Sequence, residues 1–93
     1  MKLNLTYTFT TRDGFTITRD NPEQILQEFN DSYKELQEIA SDYNRMNPDK
    51  ERATVDNYLD ATNKYFLDGS ITLYIDGDYK FYRLRTKAEV INQ

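Results

Sequence analysis

Apolar and polar residues alternate at the start of the chain, where Leu3, Leu5, Tyr7 and Phe9 are interleaved with Asn4, Thr6, Thr8 and Thr10. A period of two predicts a strand over residues 2–11 with one face buried. The pattern resumes over residues 15–20, with Phe15 and Ile17 inward and Thr16 and Thr18 outward. A three-residue Arg12-Asp13-Gly14 loop with a left-handed glycine sets Phe9 opposite Ile17 and Thr8 opposite Thr18, whereas a two-residue Asp13-Gly14 turn mismatches the faces.

The period then changes. Leu26, Phe29, Tyr33, Leu36, Ala40 and Tyr43, widened by Ile25, Ile39 and Met46, recur at the three-four spacing of an amphipathic helix. Asn21-Pro22-Glu23 supplies a cap, a proline suited to the first helical position and an acid for the positive end of the dipole. A second Asn-Pro pair, Asn47-Pro48-Asp49, reads the same way. Val55, Tyr58, Leu59, Thr62 and Phe66 then make a stripe that Gly69 can terminate. Helices are thus predicted over residues 22–45 and 48–67, joined by a short connection into an antiparallel hairpin.

Alternation returns with Ile71, Leu73 and Ile75, a turn at Asp76-Gly77-Asp78, and a strand over residues 79–86. Pairing Ile75 with Lys80 keeps Leu73 with Tyr82 and Ile71 with Leu84. With a strand over 70–76 and a tail over 87–93, the expected fold is α+β, ordered ββααββ. It is a two-layer sandwich: a four-stranded antiparallel sheet of two hairpins, covered on one face by the helical hairpin. Strand order is not readable from the pattern.

Ninety-three residues, 38% hydrophobic and 30% charged, fit a single globular domain spanning 1–93. Zero cysteines rule out disulfides and thiolate ligands and favour a reducing, cytoplasmic setting. No run approaches the ~18 apolar residues of a membrane span, and the start lacks the apolar core of a signal peptide. The glycosylation triplets at Asn4 and Asn30 therefore carry no weight.

The chain also has no histidine, so a general base would have to be a carboxylate or lysine far from its solution pKa. Glu35 with Glu38, and Asp56 with Asp60, lie one helical turn apart on the expected helices, a spacing that solvated faces share with cation sites. Asp76-Gly77-Asp78 opens like a calcium loop, but Lys80 and Lys87 occupy ligand positions. No serine lies in a Gly-x-Ser-x-Gly elbow, and three glycines at 14, 69 and 77 make no phosphate loop. No catalytic residue, metal ligand or cofactor site is expected, and the protein reads as a non-enzyme.

Charge is segregated. From Asp20 to Tyr43 there are seven carboxylates and one lysine, whereas the last strand carries Lys80, Arg83, Arg85 and Lys87. Asp31, Glu35, Glu38 and Asp42, with Glu28 nearby, follow the turn of the first helix opposite its apolar stripe. Solubility alone can account for such a face; the functional reading is a mimic of a phosphate row. Spread over roughly 36 Å, the net charge is about one per 6 Å. A DNA strand carries one per roughly 3.4 Å of axis, so Asp56 and Asp60 would be needed to fill the row. Eight tyrosines exceed the needs of a small core and suit contact surfaces, with Tyr65, Tyr74 and Tyr79 least accounted for.

The first expectation is a small acidic protein that inhibits a basic, nucleic-acid-binding protein partner through Glu28, Asp31, Glu35, Glu38, Asp42, Asp56, Asp60 and Tyr65. By size, acidity and lack of cysteine it is similar in class to phage-encoded inhibitors of host defence, anti-CRISPR proteins among them, and no motif carries that likeness. The alternative is a single-stranded nucleic-acid-binding module using Tyr74, Phe81, Arg83 and Arg85, since bases stack on aromatics and phosphates pair with arginine. No ribonucleoprotein-type signature accompanies those residues. A third is a subunit that forms a homodimer or larger oligomer through a sheet edge.

Overall fold

A computed structural model describes residues 2–11 and 13–91. The elements are β1 (Lys2–Thr10), β2 (Thr16–Arg19), α1 (Pro22–Met46), β3 (Thr54–Asn63), β4 (Phe66–Ile75) and β5 (Asp78–Ile91). The five strands form one antiparallel sheet in the order β2-β1-β5-β4-β3, with α1 across one face.

The first hairpin has the expected register, Phe9 opposite Ile17 and Thr8 opposite Thr18. Gly14 takes φ +83°, and Thr11 N–H donates to Phe15 O at 2.8 Å. Arg12, the first residue of the expected loop, lies outside the described residues. Phe15, expected inward, is not buried: it is 72% exposed at the loop's end. Asn21 caps α1, its Oδ1 accepting from the amides of Glu23 (2.8 Å) and Gln24 (3.3 Å). Ile25, Phe29, Leu36 and Ala40 are buried against Tyr7, Phe9, Leu67, Ile71, Leu73, Tyr82 and Leu84, forming one core. Each large side chain so placed contributes about 1.5–3 kcal/mol by leaving water. Phe9 meets Phe29 edge-on at 5.8 Å and stacks on Tyr82 at 6.0 Å.

The second helix does not exist. Residues 48–67 form a turn, an extended connection, β3 and the beginning of β4, so the helical hairpin becomes a single helix and the four-stranded sheet becomes five-stranded. Asn47 ends α1 instead of starting another helix: its N–H and Nδ2 both donate to Tyr43 O, at 2.9 and 3.0 Å. Pro48 cannot continue the helix. Beyond it, Thr54, Val55, Tyr58 and Thr62 favour a strand, while Asp56, Asn57, Asp60 and Asn63 weaken a helix interior by competing for its backbone.

The β3–β4 turn contains no glycine. Asn63 Oδ1 accepts from Tyr65 N–H at 2.9 Å, and Asp60 Oδ1 accepts from the Thr62 amide (3.1 Å) and hydroxyl (2.7 Å) across a break in register. Side chains thus do the work a Gly-containing turn would announce. Gly69, expected to stop a helix, lies inside β4 beneath Phe29.

The last hairpin turns on Asp76-Gly77 alone, with φ +54° and +78°, the two left-handed residues of a tight primed turn. Ile75 therefore pairs with Asp78 and Leu73 with Lys80, two residues out from the expected register but with the same faces together. The supposed tail is strand: residues 87–91 of β5 pair with Lys2–Thr6 of β1, while residues 92–93 lie outside the described residues. No helix among the described residues is long and apolar enough to cross a membrane.

Candidate functional site

Buried Ile25, Phe29, Leu36 and Ala40 fix the rotation of α1, and its 3.6-residue turn then aims Asp31, Glu35, Glu38 and Asp42 at solvent. Asp31 Oδ1 accepts from neutral Gln27 Nε2 at 2.8 Å, which leaves its charge intact. Asp42 pairs with Arg45 at 3.1 Å, and Glu28, half-buried, with Arg19 at 3.5 Å. Among the described residues no ion pair reaches Asp31, Glu35 or Glu38. Glu35 also stands on a groove of about 180 Å³ with Leu36, Ile39 and Tyr82.

Asp56 and Asp60 do not join this row. They lie on β3, opposite Thr72 and Asp68, and the pleat turns them to the sheet face away from α1. They are a strand's four residues apart rather than one helical turn. The Thr62 hydroxyl and amide hold the Asp60 carboxyl below the usual carboxylate range. Tyr65 sits in the β3–β4 turn, 49% exposed; its carbonyl accepts from Tyr7 Oη at 2.9 Å, and Lys64 Nζ lies 4.9 Å from its ring centre. It lines a groove with Pro22, Glu23 and Leu26, at the N-terminus of α1 and away from Glu38 and Asp42.

The four residues of the alternative site share the open sheet face. Their neighbours differ from expectation: Tyr74 pairs with Tyr79 (ring centres 4.8 Å apart), Phe81 with Thr72, Arg83 with Ser70 and Arg85 with Asp68. Arg83 is committed within the sheet, since its Nη2 meets Asp68 Oδ1 at 2.7 Å and its Nη1 donates to Gly69 O at 3.4 Å. Tyr74 Oη donates to Glu51 Oε2 at 2.5 Å, and this bond pushes its pKa up to about 12.

The same face includes residues that sequence reasoning missed. Tyr58 (54% exposed) and Phe66 were assigned to a helix core, and Lys87 to a tail. Alternation beginning at Thr54 was the available signal, but β3 is an edge strand with most side chains exposed, so its inward positions are not uniformly apolar.

No polar or charged side chain among the described residues is buried, and none of their carboxylates form a group of three placed to hold a metal ion. The acid row of α1 and the open sheet face, with its aromatics, cations and the β3–β4 acids, lie on opposite sides of the molecule. Compared with known protein families, curated proteins and solved structures, the chain has no significant match in any of the three.

Proposed function

We propose that the protein is a non-enzymatic binding protein that occupies the basic, nucleic-acid-binding surface of a protein partner with the outer face of α1, in the manner of phage-encoded inhibitors of host defence. The observation that supports this is the row Asp31, Glu35 and Glu38, exposed and without an ion pair among the described residues, on a helix capped at both ends and held by its buried stripe. The helix backbone is already ordered, so a partner has to order only the acid side chains themselves. From Asp31 to Glu38 the three carboxylates of that row span about 11 Å, one per roughly 5 Å, with Lys34 the one cation on that stretch and without help from Asp56 and Asp60. That is sparser than a phosphate strand, and it suits a contact of a few lysines or arginines. The groove beside Glu35, where Leu36, Ile39 and Tyr82 meet Thr11, Asp13 and Ser32, fits the stem of one such residue, with its charged head on the carboxylate.

The test is capture of partners by the wild type and by the Glu35→Lys/Glu38→Lys variant. The expected partner binds nucleic acid, is lost with the reversed charges, and is displaced from the wild type by nucleic acid. Equal capture by both baits, or no competition by nucleic acid, overturns the reading.

A further inference from the structure

The sheet face away from α1 has no covering element among the described residues, and along its central strand β5 a line of residues faces out at every second position: Phe81, Arg83, Arg85 and Lys87. Phe81 is 57% exposed, and Arg85 and Lys87 are exposed without an ion pair among the described residues. Neighbouring β1 and β2 add only hydroxyls beside them, with Thr8 opposite Arg85, Thr6 opposite Lys87, and Thr18 beyond Thr8. The acids Asp56, Asp60 and Asp68 are confined to the β3 and β4 side, and Asp68 is spent on Arg83. Charge on the open face is thus divided lengthwise, leaving the β5–β1 half cationic until Glu89 closes it opposite Asn4.

We propose that this half-face binds single-stranded nucleic acid, with phosphates on Arg85, Lys87 and the threonine hydroxyls and a base stacked on Phe81. An exposed ring in line with cations suits unpaired bases, since a duplex hides its base faces and a chain of acids alone leaves the ring without a stacking partner. Phe81 to Lys87 spans about 20 Å of strand, room for a few nucleotides. Because the acid row of α1 is on the other side of the molecule, the two surfaces can be engaged together, and this proposal does not depend on that row.

The experiment is fluorescence anisotropy of labelled oligo(dT) and oligo(U) at low salt, with a duplex and polyglutamate as competitors. The wild type is expected to bind the single strands, and raising salt from about 50 to about 200 mM weakens binding roughly tenfold, as for two or three neutralised phosphates. Arg85→Glu/Lys87→Glu removes binding, Phe81→Ala weakens it about tenfold, and Glu35→Lys/Glu38→Lys retains it. Phe81→Leu, which keeps an apolar side chain, serves if the alanine variant loses the wild-type circular dichroism spectrum. Absence of single-strand binding by the wild type, wild-type binding by both sheet variants, or displacement by polyglutamate as readily as by single strands overturns the proposal.

Discussion

Asn44 and Ala53 bind each other twice: Asn44 Nδ2 donates to Ala53 O at 2.9 Å, and Ala53 N–H donates to Asn44 Oδ1 at 2.6 Å. A side-chain amide on the last turns of α1 thus holds a backbone segment as a neighbouring strand would. The clasp sits immediately before β3 and sets where that strand begins.

Removing it by Asn44→Ala strands two partly buried backbone groups, so urea unfolding should show a loss of about 2 kcal/mol. Hydrogen exchange at the β3 amides should quicken more than in β5. Unchanged exchange in β3 would show that the clasp does not position the strand.

Gly69 is required for space. A Cβ there would lie 2.9 Å from the Tyr58 carbonyl oxygen and 3.2 Å from the Phe29 ring and Leu59 Cδ1. Gly69→Ala should therefore cost about 1–3 kcal/mol by pushing β3 or α1 away. Gly77→Ala meets nothing within 4 Å and should cost only the left-handed backbone penalty of about 1–2 kcal/mol. Thermal melts of the two variants check the order.

The acid row weakens the helix that bears it, because Glu38 has like-charged neighbours one turn away on both sides, Glu35 and Asp42. Glu38→Lys converts both repulsions to attractions and places a cation nearer the negative helix end, against one new repulsion from Lys34, a turn before it. The net gain in stability should be about 0.3–0.5 kcal/mol, with lower affinity for a basic partner. A denaturation curve beside a binding assay separates the two, and lower stability would contradict the solvent-facing geometry.

Tyr74 should titrate late. Its pKa is about 12 in the fold against an ordinary 10.0, chiefly because its neutral hydroxyl donates to Glu51. The folded value is the higher one, so the stabilisation is complete below about pH 10 and fades as pH rises towards 12. Tyrosinate absorbance should lose its latest component in Tyr74→Phe, and that component should move to lower pH in Glu51→Ala. An unchanged titration in Glu51→Ala would refute the assignment.

The open face was partly legible for a simple reason: parity survives register error. Tyr74, Phe81, Arg83 and Arg85 share a face whether Ile75 pairs with Lys80 or with Asp78, because the two registers differ by an even number of residues. What parity could not supply was the neighbour of each residue, and so it could not show that Asp68 holds Arg83. On α1, the buried stripe alone set the direction of Asp31, Glu35 and Glu38. Asp56 and Asp60 were misplaced because a helix and a strand send the same two residues to different sides.

Local chemistry determined the first hairpin, α1 and the outward row of acids, since each depends on contacts within a few residues or on one strong period. The Asn-Pro pairs mark the limit of that information. At Asn21-Pro22 the pair opens a helix, and at Asn47-Pro48 it closes one, with equally good hydrogen bonds. Only the tertiary structure decided between them. Residues 54–63 gain ladder hydrogen bonds and a packed neighbour from β4, and residues 87–91 gain a partner in β1 more than eighty positions away in the chain. Edge strands and end-to-end pairings draw stability from distant segments, and a periodicity read along the chain carries little trace of them.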